Sequence, residues 1–413
     1  MKPDKELKLR INKKEIADKF ESLSNSKQFI KNKQKKKNKA RRLWQIVAAV
    51  VLCLVFLFCI FNINYLTPSK MKERLGAIFA DIGHGDGYPY SFISDEVLDF
   101  HSFSTKDHII LTNTTLYIIN SSAKTVLEFP HAMSNPIAKT SSDRILLFDQ
   151  GGTKAYVLNQ SGKLLTFTND DEIICGKISN CGKSVLVTRG SGQQQTVSVY
   201  SRAGKQIMKW QKGSGYVIDT ALNSSGNLLS VALVDTEDAV QTITVLSFNV
   251  SNAQQRGHRE FTASTLYGVD YINNNDLALL CNNKVSILNS KCELKRELDL
   301  TSPNNYQLFI DKKGQIINLY SKYNDGRYTV DVYNAALKNV YKKECNAEVK
   351  RVTSDGNSIC VLFANNTAHV NMIGGKITYT ATSSNELSMI SNRNKTVYFC
   401  SGGTVTREKA IRK

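Results

Sequence analysis

Tryptophan, proline and histidine are scarce in this 413-residue chain, which has 2 Trp, 6 Pro and 6 His. A protein that stacks a planar quinone cofactor draws on a tryptophan-rich repeat. Trp44 lies in an apolar run and Trp210 alone supplies no such platform, so no bound cofactor is expected. Repeat families signed by a Trp-Asp dipeptide, and sialidases whose aspartate boxes end in Trp, are excluded on the same ground. Hydrolytic motifs are missing as well. There is no His-Glu-x-x-His, and Gly190-Ser-Gly192 and Gly213-Ser-Gly215 are flexible turns rather than a nucleophile elbow. The run from Gly176 to Gly182-Lys183-Ser184 has five residues between its glycines. A phosphate cradle needs four, so it reads as a β-turn.

The remaining candidates are equally sparse. His101, His108, His131, His258 and His369 are scattered without ligand spacing, and read as surface or packing residues. His84 sits between Asp81 and Asp86 in a glycine-rich loop, where flexibility opposes the held geometry that catalysis needs. Of 9 Cys, Cys53 and Cys59 lie in the apolar run, leaving Cys175, Cys181, Cys281, Cys292, Cys345, Cys360 and Cys400. Cys175–Cys181 and Cys281–Cys292 are spaced to bridge within one unit, but free thiols are expected for most. No catalytic residue, metal ligand or cofactor site is therefore assigned, and the chain is read as non-enzymatic.

Acidic residues are also few. Asp+Glu total 36 against 54 Lys+Arg, a net charge of +18. The excess is local, since residues 1–42 hold 16 basic and 5 acidic residues while the rest hold 38 and 31. A nucleic-acid-binding body is not indicated. After Arg41-Arg42 comes an apolar run from Leu43 to Phe61, interrupted only by Gln45. Trp44–Phe61 as a helix covers ~27 Å, close to a bilayer's hydrocarbon thickness. The flanking basic stretch predicts a single-pass signal anchor in the cell membrane, with the N-terminus cytoplasmic and the rest outside. The tail is read as a topology determinant. Leu9, Ile16, Phe20 and Leu23 on one helical face also suit contact with anionic lipid.

What is abundant is a repeat. Short apolar clusters after a turn residue recur as Asp107-His-Ile-Ile-Leu, Asp143-Arg-Ile-Leu-Leu, Gly182-Lys-Ser-Val-Leu, Gly226-Asn-Leu-Leu, Asp276-Leu-Ala-Leu-Leu, Gly314-Gln-Ile-Ile, Gly356-Asn-Ser-Ile and Asn394-Lys-Thr-Val. Seven steps cover 287 residues, a period of about 41, the length of a four-stranded propeller blade. A second strand follows each, as in Leu116–Ile119 and Ala155–Leu158, then Gly-Lys turns such as Ser161-Gly-Lys163. The fold class is all-β, an eight-bladed β-propeller, with seven blades as the alternative. The last unit is short, so Tyr88–Ile93 is predicted to complete it and lock the ring.

This layout of anchor, weak repeat and Gly-Lys turns resembles a bacterial family of membrane-anchored proteins with a quinoprotein-like propeller, of unknown function. The resemblance implies an interaction platform. The expected organisation is a basic tail (1–42), a transmembrane helix (43–63), a membrane-proximal linker (64–87) and the propeller (88–413). The expected function is a non-catalytic binding or scaffold module for a protein or cell-envelope glycan partner. Two alternatives are an envelope glycan hydrolase or lyase with dispersed carboxylates, and a sensor signalling through the tail. Tyr271, Tyr306, Tyr320, Tyr323 and Tyr328 are candidates for a contact surface.

Overall fold

The computed structural model describes residues 44–53 and 68–412, apart from positions 94–95, 105, 191–193, 213–214, 238–239, 263, 301–304, 324 and 384–388. It divides into two units, Met1–Leu75 and Gly76–Lys413. In the first, residues 44–53 are helical with exposed side chains. Among the described residues no helix is long and apolar enough to cross a membrane. Residues 54–63 of the predicted span, and the tail 1–42, lie outside the described residues.

The second unit is a ring of eight antiparallel sheets, blades 1 to 8. They cover 97–130, 136–168, 172–212, 216–262, 266–299, 305–345, 349–382 and 389–409. The eight-blade count replaces the seven-blade alternative. Within a blade, strands a to d run outward from the axis. Strands b and c carry continuous apolar runs because both their faces are buried. In Ile145–Asp149 of blade 2, Ile145 and Leu147 enter the cluster shared with blade 1, whereas Leu146 and Phe148 enter the one shared with blade 3. Alternation along a strand thus serves two interfaces. Eight such clusters, one between each successive pair of blades, form the core. Each buried Leu, Ile, Val or Phe contributes ~1.5–3 kcal/mol, and a lone blade would leave half of this unburied.

Closure uses both ends of the ring sequence. Blade 8 supplies only Met389–Arg393, Thr396–Ser401 and Thr404–Lys409, and its outer strand is Tyr90–Ser91, pairing Tyr90 with Val405 and Ser91 with Thr404. Tyr88 packs edge-on against Tyr398 at 5.5 Å, and Arg407 lies over the Tyr88 ring at 5.1 Å. A second latch had no sequence signal: Ile411–Arg412 adds a fifth strand to blade 7 through Tyr379 and Thr380.

The antiparallel order places every a–b and c–d turn on one rim, called here the near rim, and every b–c turn on the far rim. The segment leading into the ring lies on the near rim. Asn120 donates to Asp81 (3.0 Å), Lys124 Nζ donates to the Ala80 carbonyl (2.8 Å), and the Gly85 N–H donates to Ser122 Oγ (3.1 Å). Gly85 is required by contact rather than by flexibility, since a Cβ there would stand 2.3 Å from the Lys124 backbone nitrogen. The glycine-rich loop is therefore packed on the ring, with His84 exposed.

Candidate functional site

Strand a of each blade lines the axis and carries a feature absent from the sequence pattern. In blades 1, 3, 4, 5, 6 and 7 a β-bulge interrupts the a–b pairing near the far rim, at Val97/Asp99, Ile173/Cys175, Val217/Asp219, Leu266/Gly268, Asn305/Gln307 and Val349/Arg351. One residue is skipped each time: Leu98, Ile174, Ile218, Tyr267, Tyr306 and Lys350. A bulge releases its extra residue from the ladder and re-aims the side chain. Leu98, Ile218, Tyr267, Tyr306 and Lys350 are exposed, Tyr267 at 50% and Tyr306 at 49%. The result is a discontinuous collar of large side chains around the far mouth of the axis.

The bulges also free backbone N–H groups, and the next residue of the preceding blade accepts them. Asp219 Oδ2 accepts from the Val269 N–H (3.0 Å), and Gln307 Oε1 from the Val352 N–H (2.7 Å). Unpaired buried donors are costly, so these caps hold the collar's geometry.

Two features enlarge the far rim. In blade 4, strands Leu228–Glu237 and Val240–Asn249 continue past Tyr216, where strand a begins, through the pairs Asp235↔Thr242, Thr236↔Gln241 and Glu237↔Val240. Three extra residues per strand raise this hairpin by about 10 Å. In blade 6 the Tyr306 and Tyr328 rings lie 5.1 Å apart, and Tyr323, 63% exposed, is covered by Lys322 at 5.1 Å and Arg327 at 5.4 Å. Tyr, Arg and Met enrichment marks interface cores, and cation–π contact pre-orders such rings. Of the five tyrosines considered from sequence, Tyr306, Tyr323 and Tyr328 share this rim. Tyr271 and Tyr320 do not: Tyr271 shares a hydrogen bond with Ser230 (2.8 Å) and Tyr320 donates to Asp331 (3.0 Å), inside the blades.

The axis itself is polar and internally paired. Asp99 and His101, two apart on one strand face, meet through His101 Nδ1 and Asp99 Oδ2 at 3.0 Å, and Lys177 reaches Asp270 at 3.2 Å. Burial works against an ionised Asp99, but the hydrogen bond and charge of His101 outweigh it and hold the carboxyl below its usual range. Burial likewise opposes a charged Lys177, yet Asp270 and Asp219 hold its ammonium above the ordinary lysine value. Asp219 accepts two backbone N–H groups, from Thr220 (2.8 Å) and Val269 (3.0 Å). Asp219 and Asp270 thus serve as acceptors that tie neighbouring strands a together. Lys139 differs: it has no hydrogen-bond partner among the described residues, and burial with the nearby Lys177 charge lowers its pKa.

On the near rim a cavity of about 740 Å³ is lined by the a–b turns of blades 1 to 6. Its turns are already tied to one another: Ser142 N–H donates to Asn180 Oδ1 (3.2 Å), Asn180 Nδ2 to Ser224 Oγ (3.1 Å), and Ser225 N–H to Asn274 Oδ1 (3.1 Å). Lys312 of blade 6 reaches Ser102 Oγ of blade 1 at 3.0 Å, crossing the mouth. Burial and the Arg393 charge push its pKa down to about 8.

Other sequence candidates are structural. Gly182 turns with φ +84° and Lys183 Nζ donates to the Gly226 carbonyl (2.9 Å), so this stretch is a blade turn. Trp210 packs against Phe248 at 5.2 Å in the core between blades 3 and 4. Cys175, Cys181, Cys281, Cys292, Cys345, Cys360 and Cys400 are free thiols, and burial raises Cys281 to about 11 and Cys292 to about 12. Among the described residues no group of three His, Cys, Asp or Glu is placed to hold a metal.

With the ring and its rims established, comparison with known proteins places the chain. The description of a family of unknown function, DUF5711, matches residues 94–407, which is nearly the whole ring. The chain belongs to the DUF5711 family. It is thus a β-propeller of a family whose function is unknown. No curated protein matches the chain in sequence. Solved structures share its fold at low identity. BamB from Moraxella catarrhalis is 13% identical with a TM-score of 0.50, over 77% of this chain and 99% of that one. The computationally designed Ika8 protein is 12% identical at TM-score 0.54, over 78% and 98%. Saccharomyces cerevisiae Sqt1 is 10% identical at TM-score 0.55, over 78% and 99%. At these identities the likeness concerns fold alone.

Proposed function

We propose that this DUF5711 protein is a single-pass, membrane-anchored, extracytoplasmic module that binds a protein or cell-envelope partner through its far rim without catalysing a reaction. The observation that carries the reading is the collar of bulged residues. Six blades each break their hydrogen-bond ladder at the same height, and in five of them the skipped side chain is turned out, four of the five being Leu, Ile or Tyr. Register shifts recur in the c–d pairs of blades 1 to 6 as well, but those of strand a stand at the mouth of the axis, where exposed large side chains suit binding. The raised hairpin of blade 4 and the Tyr306, Tyr323 and Tyr328 group extend the same surface. The lead-in segment, residues 76–87, occupies the opposite rim and leaves the collar clear. Anchoring is supported by the 43–61 apolar run and the basic residues before it.

Two arrangements follow from this reading. A partner of either chemistry meets aromatic faces with polar tips, and the paired axial charges serve to keep strands a in register. The test is in-cell crosslinking and recovery, comparing the full chain with a shortened chain ending at Thr67. A partner recovered only with the ring supports the proposal. Equal recovery by tail and span alone refutes it, because the ring would then contribute no binding.

A further inference from the structure

Helix Pro68–Asp81 is amphipathic in an unusual sense. A surface helix normally turns its large apolar residues toward the body it packs on. Here the side that meets the ring is small and polar. A Cβ on Gly76 would stand 3.3 Å from Ser161, Lys124 Nζ caps the Ala80 carbonyl at 2.8 Å, and Asp81 accepts from Asn120 at 3.0 Å. The large residues are left out: Ile78, Phe79 and, just past the helix, Ile82 are 59%, 66% and 61% exposed. Met71 and Leu75, earlier in the helix, are exposed too. Ile78, Phe79 and Ile82 therefore lie on one side of the segment, with nothing among the described residues covering them.

What covers these residues follows from chain length and charge. The predicted membrane run 43–63 ends four residues before Pro68. Four or five extended residues reach at most ~17 Å, so the helix start is confined to the neighbourhood of the headgroups. Lys70, Lys72 and Arg74 fall in the sequence of its first two turns, and a basic segment that also carries exposed apolar residues suits lipid phosphates over acyl chains. We propose that helix Pro68–Asp81 with Ile82 is an interfacial helix that buries Ile78, Phe79 and Ile82 in the outer leaflet. This rests on the membrane-anchored reading above and deepens it.

The test uses the full chain in its native membranes, with Phe79 replaced by photoreactive benzoylphenylalanine. A second variant carries the same replacement at Tyr323. After irradiation, phospholipid adducts are measured by peptide mass spectrometry, and a parallel sample is washed at alkaline pH. The expected result is a wash-resistant chain with lipid adducts severalfold higher at position 79 than at 323. A wash-resistant chain whose position 79 links to a second copy, to another protein, or to nothing overturns the interfacial helix and leaves the anchor standing. A chain released by the wash overturns both. Should Phe79 prove intolerant, the replacement at Ile78 gives the same readout.

Discussion

His108 offers a test of the closed ring that depends on pH. It lies on strand b of blade 1, fully buried at the interface with blade 8, with its ring 4.0 Å from that of Tyr398 and 5.7 Å from that of Phe100. Neither ring nitrogen has a hydrogen-bond partner among the described residues. Burial, reinforced by the cations Arg393 and Lys312, holds its pKa well below 6.5, so the folded ring keeps it neutral. The unfolded chain does not. Below pH 6.5 the unfolded state takes up a proton that the folded state refuses, so stability present above that pH is lost as pH falls. The slope is ~1.4 kcal/mol per pH unit. His108→Phe removes the titration and leaves an aromatic ring in an aromatic pocket. At pH 7.5 the variant should match or exceed the parent, because it leaves no unpaired buried nitrogen. At pH 5.0 its advantage should have grown by about 2 kcal/mol. Urea unfolding of both full chains in mild detergent, followed by far-ultraviolet circular dichroism across this range, measures the gap. Steric costs of the substitution cancel in its pH dependence. A gap that does not change with pH would refute the reasoning, since it would mean that His108 is protonated or partnered in the fold.

Other predictions address the bulges, the closure and the rims. Gln307→Leu strips the Val352 N–H of its acceptor and should cost about 1–3 kcal/mol in the same unfolding assay. Tyr88→Ala removes a ring contact, a cation–π contact and the hydrogen bond to the Asn120 carbonyl, and should cost about 2 kcal/mol. Lys312, with its amine lowered to about 8, should be among the first lysines acylated by a limiting reagent at pH 8, as peptide mass spectrometry would show. Tyr306→Ala with Tyr323→Ala removes a ring pair and two exposed cation–π contacts, and should cost about 1–2 kcal/mol in unfolding while abolishing partner recovery under conditions where the ring stays folded.

The parts of this fold legible in sequence are those where burial leaves a compositional trace. Strands b and c bury both faces, so runs such as Ile145-Leu-Leu-Phe148 repeat at the blade period, and the shortness of the last unit disclosed the need for Tyr88–Ile93. The collar was not legible. A bulge is one skipped residue in a strand, and Tyr267 or Tyr306 read as ordinary strand aromatics until the register is known. Register also separated Tyr306, Tyr323 and Tyr328 from the inward Tyr271 and Tyr320, because a shift of one residue exchanges the faces of a strand. The axial Asp99–His101 pair did leave a signal, two polar residues spaced by two within an apolar strand. Spacing of two places both side chains on one strand face, whereas metal ligation would require a third donor near them. The latch Ile411–Arg412 rests on two backbone pairs and has no pattern to find.

The central claim, that the far rim is the binding face, is tested most directly by placing a photocrosslinking residue at Tyr267 and at Tyr306 on the collar, and at Ser142 and Lys313 on the near rim, in cells producing the full chain. The account predicts one and the same adduct from both collar positions and none from the near rim. An adduct formed from Ser142 or Lys313 and not from Tyr267 or Tyr306 would contradict it.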